Sequence, residues 1–346
     1  MGNEISGSGS RSWVDAFRRL EHNVYCVSHR LFIPRLSTCI GRALIRALRG
    51  VIFCPEYNRE VLMADARFHS DLVFVYKGQL VKPRTLEELK RRGRKVVLFY
   101  PDVSFFTHGK YIPKGIAHYD HVYTTKTFGL DDLRKRLGYE NASVVAHSAH
   151  PDIHRPVRIS QEMMGDFGCD ASFIGTWSPK KERYLAGLAQ EVPGLKLKIW
   201  GSQWEKAREG VLVRAIQNSE LTGDMYSAGI TCSKINIALL SEARLGASSG
   251  DHVTARTFEI PCAGGFMLHE RTDEALSYFS EGIEMACFGE PEELADKVRH
   301  YLVNDFDRTR IAEAGRKRAL AEHLTDHRAE AVLRHVLSMG LNEDIG

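Results

Sequence analysis

Residues 251–269 read Asp251-His-Val-Thr-Ala-Arg-Thr-Phe-Glu-Ile-Pro-Cys-Ala-Gly-Gly-Phe-Met-Leu-His269, and the order of residue types in this stretch decides the fold class. A polar loop leads into a short helix from about Thr254. Gly264 and Gly265 supply the left-handed turn that ends it, and Gly265 to His269 is an apolar run of the length of a buried strand. Thr254 or Asp251 is the expected cap, a side-chain oxygen accepting from a free N–H of the first turn. Arg256 and Glu259 lie three positions apart and so share one helix face. A helix N-terminus carries unpaired N–H groups and partial positive charge, which suits a phosphate. Arg256, with Thr257 beside it, adds a planar fork of donors there. Glu259, one turn further in, is placed to accept hydrogen bonds from a ribose diol.

The helix–strand unit recurs along the chain. Asp71–Tyr76, Lys95–Tyr100, His121–Thr125 and Ser143–Ala146 are continuous apolar or β-branched runs. Helical stretches Arg84–Arg92 and Leu130–Leu137 fall between them. Such runs separated by helices predict a parallel sheet covered on both faces. The pattern restarts with strands at Ala171–Gly175, Leu195–Trp200, Ser233–Leu240 and Glu284–Phe288, and ends in helices near Pro291–Leu302, Arg308–Glu322 and Asp326–Leu337. Between the halves lies His147-Ser-Ala-His-Pro-Asp-Ile-His-Arg-Pro156. Its His spacing runs across Pro151 rather than along a helix, so it reads as a linker and not as a metal site.

Composition bounds the function. The chain has 346 residues, enough for two domains. It is 43% apolar and 26% charged, as soluble globular proteins are. A net charge of +3 argues against a dedicated nucleic-acid binder. Seven scattered cysteines, none in a C-x-x-C pair, favour reduced thiols and a cytoplasmic setting over a disulfide framework or zinc site. No run approaches the roughly 18 apolar residues of a membrane span. Met1-Gly-Asn-Glu-Ile-Ser6 formally fits an N-myristoylation pattern. Arg30, Arg35, Arg42, Arg46 and Arg49 alternate with Ile40, Leu44, Ala47, Leu48 and Val51 at helical spacing. That stretch reads either as a helix packed on the sheet or as a basic amphipathic surface that touches anionic lipid on the inner face of a membrane.

The string Arg256 to Leu268, followed by Tyr278-Phe279 and Gly282-Ile-Glu284, resembles the spore-maturation (CgeB-like) glycosyltransferases, relatives of glycosyltransferase family 4. The resemblance implies a GT-B fold: two Rossmann-like parallel-sheet domains facing a cleft, with a C-terminal helix crossing back to the first. On that basis residues 1–157 form the acceptor-side domain, 158–325 the donor-side domain, and 326–346 the crossing helix and tail. In the family two glutamates eight positions apart flank the central helix. The second matches Glu259, on the ribose; the first falls on Asp251, a shorter carboxylate, which is expected to be catalytic.

Other site residues follow from strand ends and from the resemblance. In open α/β sheets ligands bind beyond the carboxyl ends of strands, which brings Lys77, Asp102 and His108 toward the expected cleft. Asp102 or His108 is the candidate to orient or deprotonate an acceptor hydroxyl. Gly9 and Arg11, in the loop Gly7-Ser-Gly-Ser-Arg11, are further cleft-loop candidates, as is Gly175. Ser178 and Pro179 open a helix, with Lys180, Lys181 and Arg183 in its first turns; the family places a diphosphate-holding basic residue at Lys180 or Lys181 and an Arg at Arg183. It places Gly201-Ser-Gln-Trp204 and Lys234 near the ribose and base. Asp305-Phe-Asp307 is formally a D-x-D, but it sits between two late helices after Asn304, where capping accounts for it, so no metal is expected. The expected activity is transfer of a sugar from a nucleotide-diphosphate sugar, UDP-linked, to an acceptor hydroxyl, with retention and without a metal or other cofactor. The acceptor class stays open between a glycan, a lipid-linked sugar, a protein and a small metabolite, and a homodimer is compatible with the sequence. The alternatives are an inactive sugar-nucleotide-binding module and a sugar-nucleotide epimerase of the same fold. A dehydrogenase is disfavoured, since no G-x-G-x-x-G joins a strand to a helix.

Overall fold

The computed structural model describes residues 9–33 and 39–340. The Met1–Ser6 pattern and Arg35 lie outside the described residues, as do the side chains of Ile40, Arg42, Arg46, Ala47 and Arg49. The chain forms two compact units. The first holds the described residues up to Ala146, with Ala243–Ser249 and those from Arg328 on; the second holds His147–Glu242 and Gly250–His327.

The first unit is built on strands β1 (Leu72–Tyr76), β2 (Lys95–Tyr100), β3 (His121–Thr124) and β4 (Ala142–Val144), all parallel, in that order across the sheet. Val96, Val97, Leu98 and Tyr100 of β2 are almost wholly buried, as a central strand covered on both faces requires. One face carries Tyr57, Val61, Leu86, Leu89, Ile112 and Ile116. The other carries Trp13 and Phe17 from the first helix and Ala329, Val332 and Val336 from the last. The first helix runs Gly9–Arg19, so Gly9 and Arg11 belong to its opening turn and not to a loop. A Cβ at Gly9 would stand 2.3 Å from the Tyr76 hydroxyl, so glycine lets this helix settle on β1, while Arg11 pairs with Asp15 at 2.6 Å. These contacts hold Gly9 and Arg11 in packing instead of presenting them to a ligand.

The second unit has β5 (Cys169–Ile174), β6 (Leu197–Trp200), β7 (Ser233–Ala238), β8 (Met267–Glu270) and β9 (Ala286–Phe288), again all parallel. Their order across the sheet is β6-β5-β7-β8-β9. Phe173, Ile199, Ile235, Ile237, Leu268 and Phe288 meet Leu185, Leu188, Leu294 and Val298 from helices Pro179–Glu191 and Pro291–Val303 in one core. Among the described residues, no helix is long and apolar enough to cross a membrane.

Candidate functional site

In the second sheet the chain leaves β5, passes to β6 on one side, and returns to β7 on the other. The winding direction therefore reverses between β5 and β7, and in open α/β sheets ligands bind at such a switch point, beyond the carboxyl ends of the strands. Arg256 sits there. Its Nη1 donates to the Ile174 carbonyl that ends β5 at 3.3 Å, and its Nη2 to the Leu239 carbonyl just beyond β7 at 2.6 Å. The guanidinium lies over the Phe173 ring, 5.1 Å from its centroid. Nε is buried and has no hydrogen-bond partner. A guanidinium has five N–H donors, so this one keeps unused capacity where an anion would be held.

Gly175, Gly201 and Trp204 build that position. A Cβ at Gly175 would come within 2.6 Å of Arg256 Nη1. A Cβ at Gly201, whose φ is 134°, would stand 2.1 Å from the Gly175 carbonyl oxygen. Trp204 donates from Nε1 to that same oxygen at 2.9 Å. Trp204 is only 3% exposed and edge-on to Phe173, so it packs in the core. Both glycines let two loops and a guanidinium pass closely.

The central helix spans Arg256–Cys262 and differs from expectation at its start. Ala255 occupies the cap position with no side-chain bond. The N–H of Thr257 goes to the Thr254 carbonyl, and those of Phe258 and Glu259 go to the Ala255 carbonyl, so these donors are already satisfied. Thr257 is fully buried and its hydroxyl is engaged within the fold: it accepts from the Thr254 N–H at 3.0 Å and meets His269 Nε2 at 2.8 Å. Nδ1 of His269 faces the Glu270 carbonyl at 2.5 Å. A carbonyl only accepts, so Nδ1 carries the proton and Nε2 accepts from Thr257. Burial holds this imidazole neutral, with a pKa lowered to about 4.

Glu259 has two neighbours that sequence reasoning did not assign to it. The Tyr226 hydroxyl donates to its Oε2 at 2.7 Å. His154 Nε2 lies 3.6 Å from its Oε1. Nδ1 of His154 accepts the His150 N–H at 2.9 Å, which leaves the proton on Nε2, facing the carboxylate. Burial lowers the His154 pKa against the pull of Glu259. Burial, then the Glu259 charge, raises the Tyr226 pKa well above its ordinary value. The His147–Pro156 segment thus places the His154 ring beside Glu259. Three histidines in a short run were the only signal for this, and they signal contact without naming the partner.

The other candidates divide. Lys180 is paired with Glu270 through Nζ, and its N–H donates to Glu242 at 2.9 Å. Lys181, 3% exposed, donates to the Thr176 carbonyl at 3.2 Å and to Ser241 Oγ at 2.9 Å. Asp251 joins the same neighbourhood, its N–H donating to the Ser241 carbonyl at 2.8 Å. Arg183 is exposed and lies over the Tyr184 ring. Burial alone would raise the Glu242 pKa; hydrogen bonds led by that from Ser178, and the nearby Lys181 charge, bring it below the usual carboxylate range. Lys234 does not join this group. It pairs with Asp170 at 2.9 Å, near the amino ends of β5 and β7, whereas Arg256 lies beyond their carboxyl ends.

In the first unit Lys77, Asp102 and His108 come together beyond the carboxyl ends of β1 and β2, with Lys77 Nζ 2.6 Å and His108 Nε2 3.5 Å from Asp102 Oδ2. Among the described residues, no three His, Cys, Asp or Glu side chains gather as metal ligands do. Asp305 and Asp307 are engaged by Arg308 and Arg310 of their own helix, and the Asn304 side chain turns back to the His300 carbonyl instead of capping.

Residues 180–334 match a family model described as glycosyl transferase-like. No curated protein matches the chain. Among solved structures, the glycosyltransferase AviGT4, involved in avilamycin A biosynthesis, superposes with a TM-score of 0.63 at 14% identity, covering 98% of this chain and 93% of that one. A sucrose-phosphate synthase from Thermosynechococcus elongatus gives 0.62 at 10% identity over 85% and 80% of the two chains. Anabaena Alr3699/HepE, solved in complex with UDP-glucose, gives 0.58 at 12% identity over 82% of each. With its two parallel-sheet α/β domains, the chain has the GT-B fold.

Proposed function

We propose that this protein is a CgeB-like glycosyltransferase that moves a sugar from a nucleotide-diphosphate sugar, UDP-linked, to an acceptor hydroxyl. The observation that carries the proposal is Arg256: a guanidinium with unused donors, fixed across the carboxyl ends of β5 and β7, one turn from a carboxylate held by Tyr226. The match of residues 180–334 to a glycosyl transferase-like model and the UDP-glucose bound by a protein of similar fold support it.

In this reading Glu259 accepts from the ribose hydroxyls, its second oxygen kept in place by the Tyr226 hydroxyl. Arg256 faces the diphosphate. As the glycosidic bond breaks, charge develops on the leaving phosphate, and a preorganised guanidinium stabilises it without reorganisation at that moment. Lys181 adds positive charge from the first turn of its helix. Lys180 contributes less directly, because it already serves Glu270. Retention, metal independence, an acceptor role for Asp102 and a catalytic role for Asp251 belong to the same proposal. Asp102, between Lys77 and His108, is the first unit's best-placed carboxylate to orient a hydroxyl.

Isothermal titration of UDP and UDP-glucose tests the reading. Glu259→Ala is expected to weaken UDP binding by about tenfold or more, the loss of a charge-assisted hydrogen bond. Arg256→Ala is expected to abolish donor turnover or hydrolysis with the fold retained by circular dichroism. Unchanged UDP affinity in the first variant, or unchanged turnover in the second, would overturn the assignment.

A further inference from the structure

The helix Cys39–Leu48 and its wider-wound continuation Arg49–Phe53 leave apolar side chains uncovered. Leu44 is 53% exposed, Val51 76% and Ile52 40%, and Leu48 is half-buried. Positions 44, 48, 51 and 52 follow the spacing of one helical stripe. Among the described residues, the helix meets no element extensively except the stretch that continues it. In the sequence, arginine recurs at 42, 46 and 49, the spacing of a second stripe. Three large apolar side chains in water are unfavourable at roughly 25 cal/mol per Å², and isolated exposure of one of them would need no explanation. A stripe of them beside a run of arginines calls for an occupant that is apolar inside and anionic at its surface.

We propose that residues 39–53 form an interfacial segment that lies in the plane of an anionic lipid surface, with Leu44, Leu48, Val51 and Ile52 entering the acyl boundary and the arginines meeting headgroup phosphates. Both halves of the chemistry are needed. Apolar burial supplies the attachment, and each arginine near an anionic leaflet adds to it in a salt-dependent way. The nearby acidic residue Glu56 lies past the stripe, in the first turn of helix Cys54–Phe68, where it leaves residues 39–53 free of carboxylates. The proposal is independent of the sugar-transfer reading, since no donor-site residue takes part.

Co-sedimentation of the full chain with vesicles tests it. The protein is expected to pellet with vesicles containing roughly one-third phosphatidylglycerol, to stay in solution with pure phosphatidylcholine, and to be released as salt is raised. Leu44→Asp and Val51→Asp, made separately at exposed positions, are each expected to lose most of the bound fraction while the melting temperature is unchanged. Arg46→Glu is expected to lose binding at physiological salt. Equal pelleting with both lipids, no pelleting at all, or wild-type binding by the two aspartate variants would overturn the proposal. So would conversion of a dimer to a monomer by Val51→Asp, which would make the stripe a contact between copies of the chain.

Discussion

At the scale of the residue, Thr257 and His269 show how a motif side chain can be used inside the fold. Thr257 accepts one backbone N–H and donates to an imidazole that is itself fixed by a carbonyl. All three groups are buried, so each bond missing would leave a group desolvated at about 1–3 kcal/mol. The buried imidazole also makes stability depend on pH. Its folded pKa, near 4, lies below the ordinary histidine value of 6.5, so between those values the unfolded chain binds more protons. Stability is therefore complete above about pH 6.5 and falls as pH drops toward 4, by up to about 3 kcal/mol for a shift of this size. Urea unfolding at pH 7 and pH 5 should show that drop, and His269→Gln, which cannot titrate, should show less of it. An unchanged difference between the two pH values in the variant would remove His269 from the account.

At the scale of the element, two helix starts that look alike in sequence differ in kind. Helix Pro179–Glu191 has a working cap: Ser178 accepts the Lys181 N–H, and the helix gains Glu242 on the Lys180 N–H. Helix Arg256–Cys262 has none, and the hydroxyl of Thr254 is buried without a hydrogen-bond partner. Ser178→Ala should therefore cost about 1 kcal/mol. Thr254→Val, which removes a desolvated hydroxyl and keeps the shape, should be neutral or slightly stabilising. Chemical denaturation of the two variants side by side checks the contrast; a loss at Thr254→Val equal to that at Ser178→Ala would restore Thr254 as a cap.

At the scale of the whole molecule, the last helix is part of the first unit's core although the second unit's chain precedes it. Val332 is 1% exposed and packs in the cluster that holds Trp13, Phe17, Phe99 and Tyr123. Val332→Asp would bury a carboxylate there, at a cost of about 4 kcal/mol or more. Hydrogen exchange should then show lost protection in β2 and β3 with β5 and β7 unaffected. Equal loss in both sheets would mean that the units do not unfold separately.

The strands were legible because continuous apolar runs bounded by glycine and polar residues have few other solutions, and Lys95–Tyr100 is a strand over the whole stretch expected. Arg256 and Glu259 were legible as a pair because helical spacing alone puts them on one face. What they face was not. The positions of Ile174 and Leu239 around Arg256, of Tyr226 and His154 around Glu259, and of Asp170 beside Lys234 depend on the tertiary fold. The fold brings together residues 105 positions apart, such as His154 and Glu259. Local sequence governs hydrogen bonds and periodicity within one element; which carbonyl or carboxylate lies opposite an element is settled only when the sheet closes its ladder and excludes water.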